Sequence, residues 1–176
     1  MEFYIVYDKT TGEEKMRGQG PVGAIVSQTA LLPEELALMP VSMSVFNSHP
    51  LNIEQIRIDA AVQIDRGAEI YRLRFVTAGA GQAMTYTAKA EEARAYLADN
   101  TVATPWLTAE ADAIGSTVEE VANEVATMSA RWTIIGSRIE GARMGAKHLL
   151  GQATDLAAIA NAMAIDWDGV GETAVA

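Results

Sequence analysis

The stretch most open to a chemical reading is Gly79-Ala80-Gly81, because glycines ahead of a helix leave backbone amides free to hold an anion such as phosphate. A dinucleotide-binding loop needs a strand before it and a third glycine in register. Here the preceding residues carry a helical pattern, so a tight turn is the expected role. His49 precedes Pro50 and His148 lies near the end of a long apolar-periodic stretch. Neither has a histidine or acid at metal-ligand spacing, which points to surface or hydrogen-bonded positions. Asp166 and Asp168 flank Trp167, and an extended backbone would put both carboxylates on one face. That arrangement suits weak cation binding, but a solvent-facing edge with Trp167 buried is the expectation. Glu91-Glu92 and Glu119-Glu120 fit helix solvation and the favourable field at a helix amino end. The chain has no cysteine and no Gly-x-Ser-x-Gly nucleophile motif. No catalytic residue, metal ligand, cofactor-binding residue or cofactor is assigned.

Composition narrows the partners. A net charge of -10 and an isoelectric point near 4.6 argue against nucleic acid, whose binding is driven by Lys and Arg neutralising phosphates. No run of about 18 apolar residues is present, so no membrane span is expected. The opening Met1-Glu2-Phe3 lacks the basic and apolar regions of a secretory signal, which predicts a protein made in the cytoplasm and kept or assembled there.

The elements that would position these groups are legible mainly from periodicity. Val118, Val121, Val125, Met128, Trp132, Ile135, Ile139, Ala142, Ala146, Leu149 and Ala153 follow one another at alternating intervals of three and four, the a/d pattern of a long amphipathic helix. Ser116 with Glu119 and Thr117 with Glu120 are candidate capping boxes at its start. Residues Val118 to Ile139 of this ridge form a candidate packing or oligomer seam, with Met128 and Trp132 at core spacing. A second stripe, Ile53, Ile56, Ala60, Ile64, Ala68, Tyr71 and Phe75, predicts a helix from Asn52, its cap, to about Val76. After the break at 77–81 a further helix is expected from about Gln82 to Ala98, with Ala83, Tyr86, Ala90, Ala93 and Leu97 inward, making an antiparallel helical hairpin. Thr108 is the expected cap of a short helix ending near Gly115, with Trp106 and Leu107 plugging the bundle. Thr154 or Asp155 caps another over 155–164. Abundant small residues, among them Ala60, Gly136, Gly141, Gly145 and Ala146, predict close approach of helix axes.

The first fifty residues read differently. Phe3-Tyr4-Ile5-Val6-Tyr7 is a β-branched and aromatic run followed by a reversal at Asp8 to Gly12, and Glu13 to Arg17 returns as the second strand of a hairpin, a candidate docking element. Ala24-Ile25-Val26 is expected as a short strand, Pro33 to Met39 as a brief helix stopped by Pro40, and Val41 to Phe46 as a last strand. The fold class expected is α+β, mainly α: a small β-rich region over 1–50, a helical bundle module over 51–165 and an extended tail over 166–176.

Gln63-Ile64-Asp65, Arg72 to Thr77, Gly79 to Tyr86, Lys89, Glu92-Ala93, and later Trp132, Ile139, Glu140, Arg143 and Ala146-Lys147 resemble the helical carboxy-terminal region of small tail-associated proteins from tailed bacteriophages and prophages. The Tyr-Asp-x-x-Thr-Gly turn at Tyr7 to Gly12 is similar to the amino-terminal strand modules of phage tail and tail-fibre-assembly proteins. The likeness covers about residues 55–153 and, loosely, the first twenty. It implies a non-enzymatic component of a tail, baseplate or tail fibre, located in the virion tail and acting by protein–protein contact with other tail proteins. A homo-oligomer through part of the a/d seam accompanies that reading. The alternative is a tail-fibre assembly chaperone that leaves the finished particle, and a small enzyme with an acidic site is a third.

Overall fold

A computed structural model of the chain describes residues 1–77 and 79–172. The fold is α+β and mainly helical, with one three-stranded antiparallel sheet near the amino terminus. The chain forms two compact units, Met1–Ala68 with Gly141–Asp166, and Glu69–Glu140 with the segment from Trp167 onward. Residues 1–50 therefore do not stand apart as a module. They share a core with helical residues on either side of the second unit in sequence, as expected of a sheet too small to be stable alone.

In the first unit β1 (Glu2–Asp8) pairs with both β2 (Glu14–Gly20) and β3 (Leu36–Val41), in the order β2-β1-β3. The reversal after β1 is local chemistry: the Asp8 carboxylate accepts from the amides of Thr10 and Thr11, and Gly12 takes φ +70°. A Cβ at Gly12 would overlap the Asp155 carboxylate, so the turn also packs against the start of a later helix.

Three expectations for the next segment fail. Ala24–Thr29 is a helix, α1, lying against all three strands. The segment read as a helix up to Pro40 is instead β3, with Pro40 paired to Tyr4. Proline is tolerated there because β3 is an edge strand. Met43–Phe46 is a short helix, α2, whose cap Ser42 accepts from the Val45 amide. For β3, pairing with β1 prevailed over the local preference.

Helix α3 (Ile53–Arg72) begins as anticipated, with Asn52 Oδ1 accepting from the Gln55 amide at 2.9 Å. Its stripe is buried from Ile56 through Tyr71, whereas Phe75 is exposed beyond the helix end. Helix α6 (Val118–Gln152) matches the predicted span within a residue, and α7 (Leu156–Met163) is capped by Asp155, which accepts from the Ala158 amide. The core of the first unit joins Ile5, Tyr7 and Met39 of the sheet to Ile56, Ala60 and Ile64 of α3, Ala146 and Leu150 of α6, and Leu156 and Ile159 of α7. Each large aliphatic side chain buried in this way contributes about 1.5–3 kcal/mol.

The second unit holds α4 (Ala80–Ala98), α5 (Pro105–Ile114), residues 118–140 of α6 and α8 (Trp167–Glu172). Its core is Ala93, Leu107, Ala111, Val121 and Ala122, and α4 packs on α5. The inward face foreseen for α4 holds only at Ala93 and, in part, Ala90, since Ala83, Tyr86 and Leu97 are exposed. Helix α5 begins at Pro105, three residues before the cap foreseen at Thr108, because proline suits the first turn. Leu107 is fully buried, but Trp106 is half exposed and does not plug the core. The expected extended tail is instead α8. The fraying foreseen for 171–176 concerns residues that, from 173 on, lie outside the described ones, as does Ala78 in the break before α4.

Candidate functional site

The groups first weighed for chemistry are engaged in fastening the fold. Gly79, at φ +124°, leads into α4, and the element before it is the helix α3, as the turn reading requires. Glu92 of α4 reaches the amino end of α5, where its carboxylate accepts from the amides of Trp106 at 2.9 Å and Leu107 at 3.1 Å. It supplies the side-chain cap that Thr104, at the cap position, does not. Lys89, on the same helix, pairs with Glu110 of α5. Glu120 accepts from Ser116, from the Thr117 amide and from the Thr117 hydroxyl, while Thr117 Oγ1 accepts from the Glu120 amide. The capping box is thus Thr117 with Glu120, and Ser116 joins it through Glu120 rather than Glu119. These contacts, the Ser116 hydroxyl foremost, hold the Glu120 carboxyl below its ordinary value.

Asp166 and Asp168 do not share the face of a strand. Asp168 lies in α8 and pairs with Arg74 at 2.5 Å, the Arg74 guanidinium sits 4.7 Å over the Tyr71 ring, and Trp167 stacks on that ring at 6.2 Å. Tyr71 also donates to the Asp168 carbonyl. His49 Nδ1 lies 3.1 Å from the Asn47 carbonyl, and His148 is 3.1 Å from Gln152. Among the described residues no group of three or more His, Asp or Glu is placed to hold a metal ion, and no helix is long and apolar enough to cross a membrane.

The densest charged cluster was not anticipated. Asp65 of α3 accepts from Arg143 at 2.6 Å and from Lys147 at 2.8 Å, both on α6. The Lys147 and Arg143 cations together hold the Asp65 carboxyl below its ordinary value. The sequence signal was two cations four residues apart, which a helix places on one face, but nothing in sequence spacing names Asp65, 78 positions away from Arg143, as the partner. Arg57 likewise donates to the carbonyls of Gly151 and Ala153, satisfying the carboxyl end of α6. Between these groups an open groove of about 340 Å³ is lined by Glu54, Arg57, Ile58, Ala61, Lys147, Leu150 and Gly151. In the sheet, Arg17 holds Glu14 and donates to the carbonyls of Phe46 and Ser48. The hydrogen bond from Arg17, with its charge, holds the Glu14 carboxyl below its ordinary value.

The candidate docking strand, Phe3 to Tyr7, is the central strand of the sheet. Tyr4, Ile5, Val6 and Tyr7 are buried, Phe3 packs on Phe46 with ring centroids 5.1 Å apart, and burial pushes the Tyr7 hydroxyl pKa up. The free edges belong to β2 and β3. The seam is heterogeneous. Val121 and Ile139 are buried, and Val118, Val125 and Ile135 are half buried. Met128 is 62% exposed and Trp132 36%, which departs from the core placement their spacing suggested. Trp132 lies along its own helix over Gly136, where a Cβ would meet the ring at 3.1 Å. At Gly141 and Gly145 a Cβ would meet nothing within 4 Å, so these glycines do not mark a close helix crossing. Comparison with protein-family models, with curated proteins and with solved structures finds no match to this chain.

Proposed function

We propose that the chain is a structural or adaptor component of a bacteriophage tail, associated with the tail fibre or baseplate, that acts through protein–protein contacts and carries out no chemistry. The observation that carries this reading is the use of its polar groups. Glu92, Glu120, Asp65, Arg17, Arg57 and Arg74 are spent on caps and ion pairs, while large apolar side chains such as Met84, Met128 and Ile114 stay exposed on helices. Surfaces of that kind suit partner proteins. The resemblance of residues 55–153 to tail-associated proteins gives the setting: a virion part, made in the bacterial cytoplasm, meeting other tail proteins. Quantifying the chain in purified particles tests it. A tail component is retained at fixed stoichiometry, whereas presence in infected cells with absence from particles would replace this reading by that of an assembly chaperone.

A further inference from the structure

We propose that residues 124–138 of α6 form an antiparallel, two-fold contact with a second copy of this chain. The inference rests on the geometry of α6 and stands apart from any role in a tail. Helix α6 keeps its a/d seam across both ends, but the chain covers the seam unevenly. Leu107 and Ala111 of α5 pack with Val121, and Ile139 is fully buried, whereas Val125, Met128, Trp132 and Ile135 between them retain exposure. Met128 and Trp132 are the open part of this run, Val125 packs in part against the same cluster as Val121, and the complement of knobs at this spacing is a helix of the same spacing.

The flanking charges select the copy and its direction. Glu124, Arg131 and Arg138 occupy successive g positions, all three are exposed, and among the described residues none has an ion-pair partner. In an antiparallel pair of identical helices centred beside Ala130, Met128 faces Trp132 of the copy and Val125 faces Ile135. The flanking g residues then centre on Arg131, so Glu124 of each chain meets Arg138 of the other. At the e positions of the window, Ser129 is small and uncharged and Gly136 lies under the Trp132 ring, so neither sets a charge against the copy. A parallel pair would instead set Glu124 against Ser129 and leave all three charges unmatched. A self-complementary patch of this kind is what a closed two-fold dimer requires. Arg131 meets its own copy across the axis, which weakens the contact and makes the dimer concentration-dependent.

Sedimentation equilibrium of the purified full chain across a concentration series is the test. The wild type is expected to dimerise reversibly. Glu124→Arg and Arg138→Glu singly should each weaken the dimer about tenfold, since two symmetric pairs turn repulsive at about 1.4 kcal/mol in sum. The double reversal should restore it, and Arg131→Gln should tighten it severalfold. Met128→Asp should abolish association with an unchanged circular dichroism melt at dilution, because the side chain is exposed. A wild type monomeric at every concentration, or a dimer indifferent to the charge reversals, would overturn the proposal. Either outcome leaves the particle-location experiment unaffected.

Discussion

The two units of the molecule are held together by different means. In the first, the sheet and the helices meet over large aliphatic side chains: Ile5, Met39, Ile56, Ile64, Leu150, Leu156 and Ile159 are all buried together. In the second, three of the residues at the centre are alanines, Ala93, Ala111 and Ala122, beside Leu107 and Val121, with the partly buried Tyr96, Val118 and Val125 packed against them. At about 25 cal/mol per Å² of apolar surface buried, alanine contacts contribute little. Polar fastenings accompany them: Glu92 on the end of α5, Lys89 with Glu110, Arg72 with Glu140 at 2.6 Å, and Arg74 with Asp168. Large apolar side chains stay more than half exposed in both units, Met84, Ile114 and Met128 in the second and Val22, Leu31 and Met43 in the first.

Substitutions can break this contrast. The largest effect is expected at Ile159, fully buried in the first unit: Ile159→Ala should lower the unfolding free energy by about 3–4 kcal/mol in denaturant titrations, the cost of a lost side chain and the cavity it leaves. Ile139→Ala, also fully buried but on the seam in the second unit, should cost about 3 kcal/mol, while Met128→Ala on the same seam should cost less than about 0.5 kcal/mol when measured at dilution. Equal costs for Ile139 and Met128 would show that the seam is evenly covered and would remove the basis for an intermolecular contact. Glu92→Ala should cost about 1 kcal/mol, as loss of a helix cap does, and Thr117→Ala a similar amount.

Acid sharpens the comparison from the other side. Asp65 and Glu14, both in the first unit, are held below their ordinary values of 3.8 and 4.5 by Lys147 with Arg143 and by Arg17. The folded state therefore binds fewer protons than the unfolded one as the pH falls past those values. Their contribution is fully present above about pH 5 and is lost as the pH drops through the lower, folded values. Melting temperatures of Asp65→Asn should fall less steeply with acid than those of the wild type. At neutral pH the same change has a small effect, below about 1 kcal/mol, because the Asp65 side chain is 45% exposed and its ion pairs are screened.

How far these features could be read beforehand depended on the distance over which each is specified. The turn at Asp8 to Gly12, the Asn52 cap, the Thr117 and Glu120 box, the start of α3 and the span of α6 follow from residues within four positions of one another and were legible, while the later cap was narrowed to Thr154 or Asp155 and the end of α3 was placed a turn too far. The segment from Ala24 to Phe46 was misread throughout, because β3 exists only by pairing with β1 some thirty residues earlier. The same limit applied to the end of the chain: Asp166, Trp167 and Asp168 look like an extended edge until Tyr71 and Arg74 supply the surface on which a short helix settles.

The amino acids alone determined that this protein is mainly helical with a small sheet, where its two principal helices begin, and which of their faces are apolar, because helical period and capping act within a turn or two of backbone. Tertiary structure alone decided that Phe3 to Tyr7 is an interior strand, that Asp65 answers two cations on α6, and that the ridge of α6 is buried at Val121 and Ile139 but open at Met128. Periodicity specifies a face; what covers that face depends on which distant segments arrive there, and that is settled only by the packing of the whole chain.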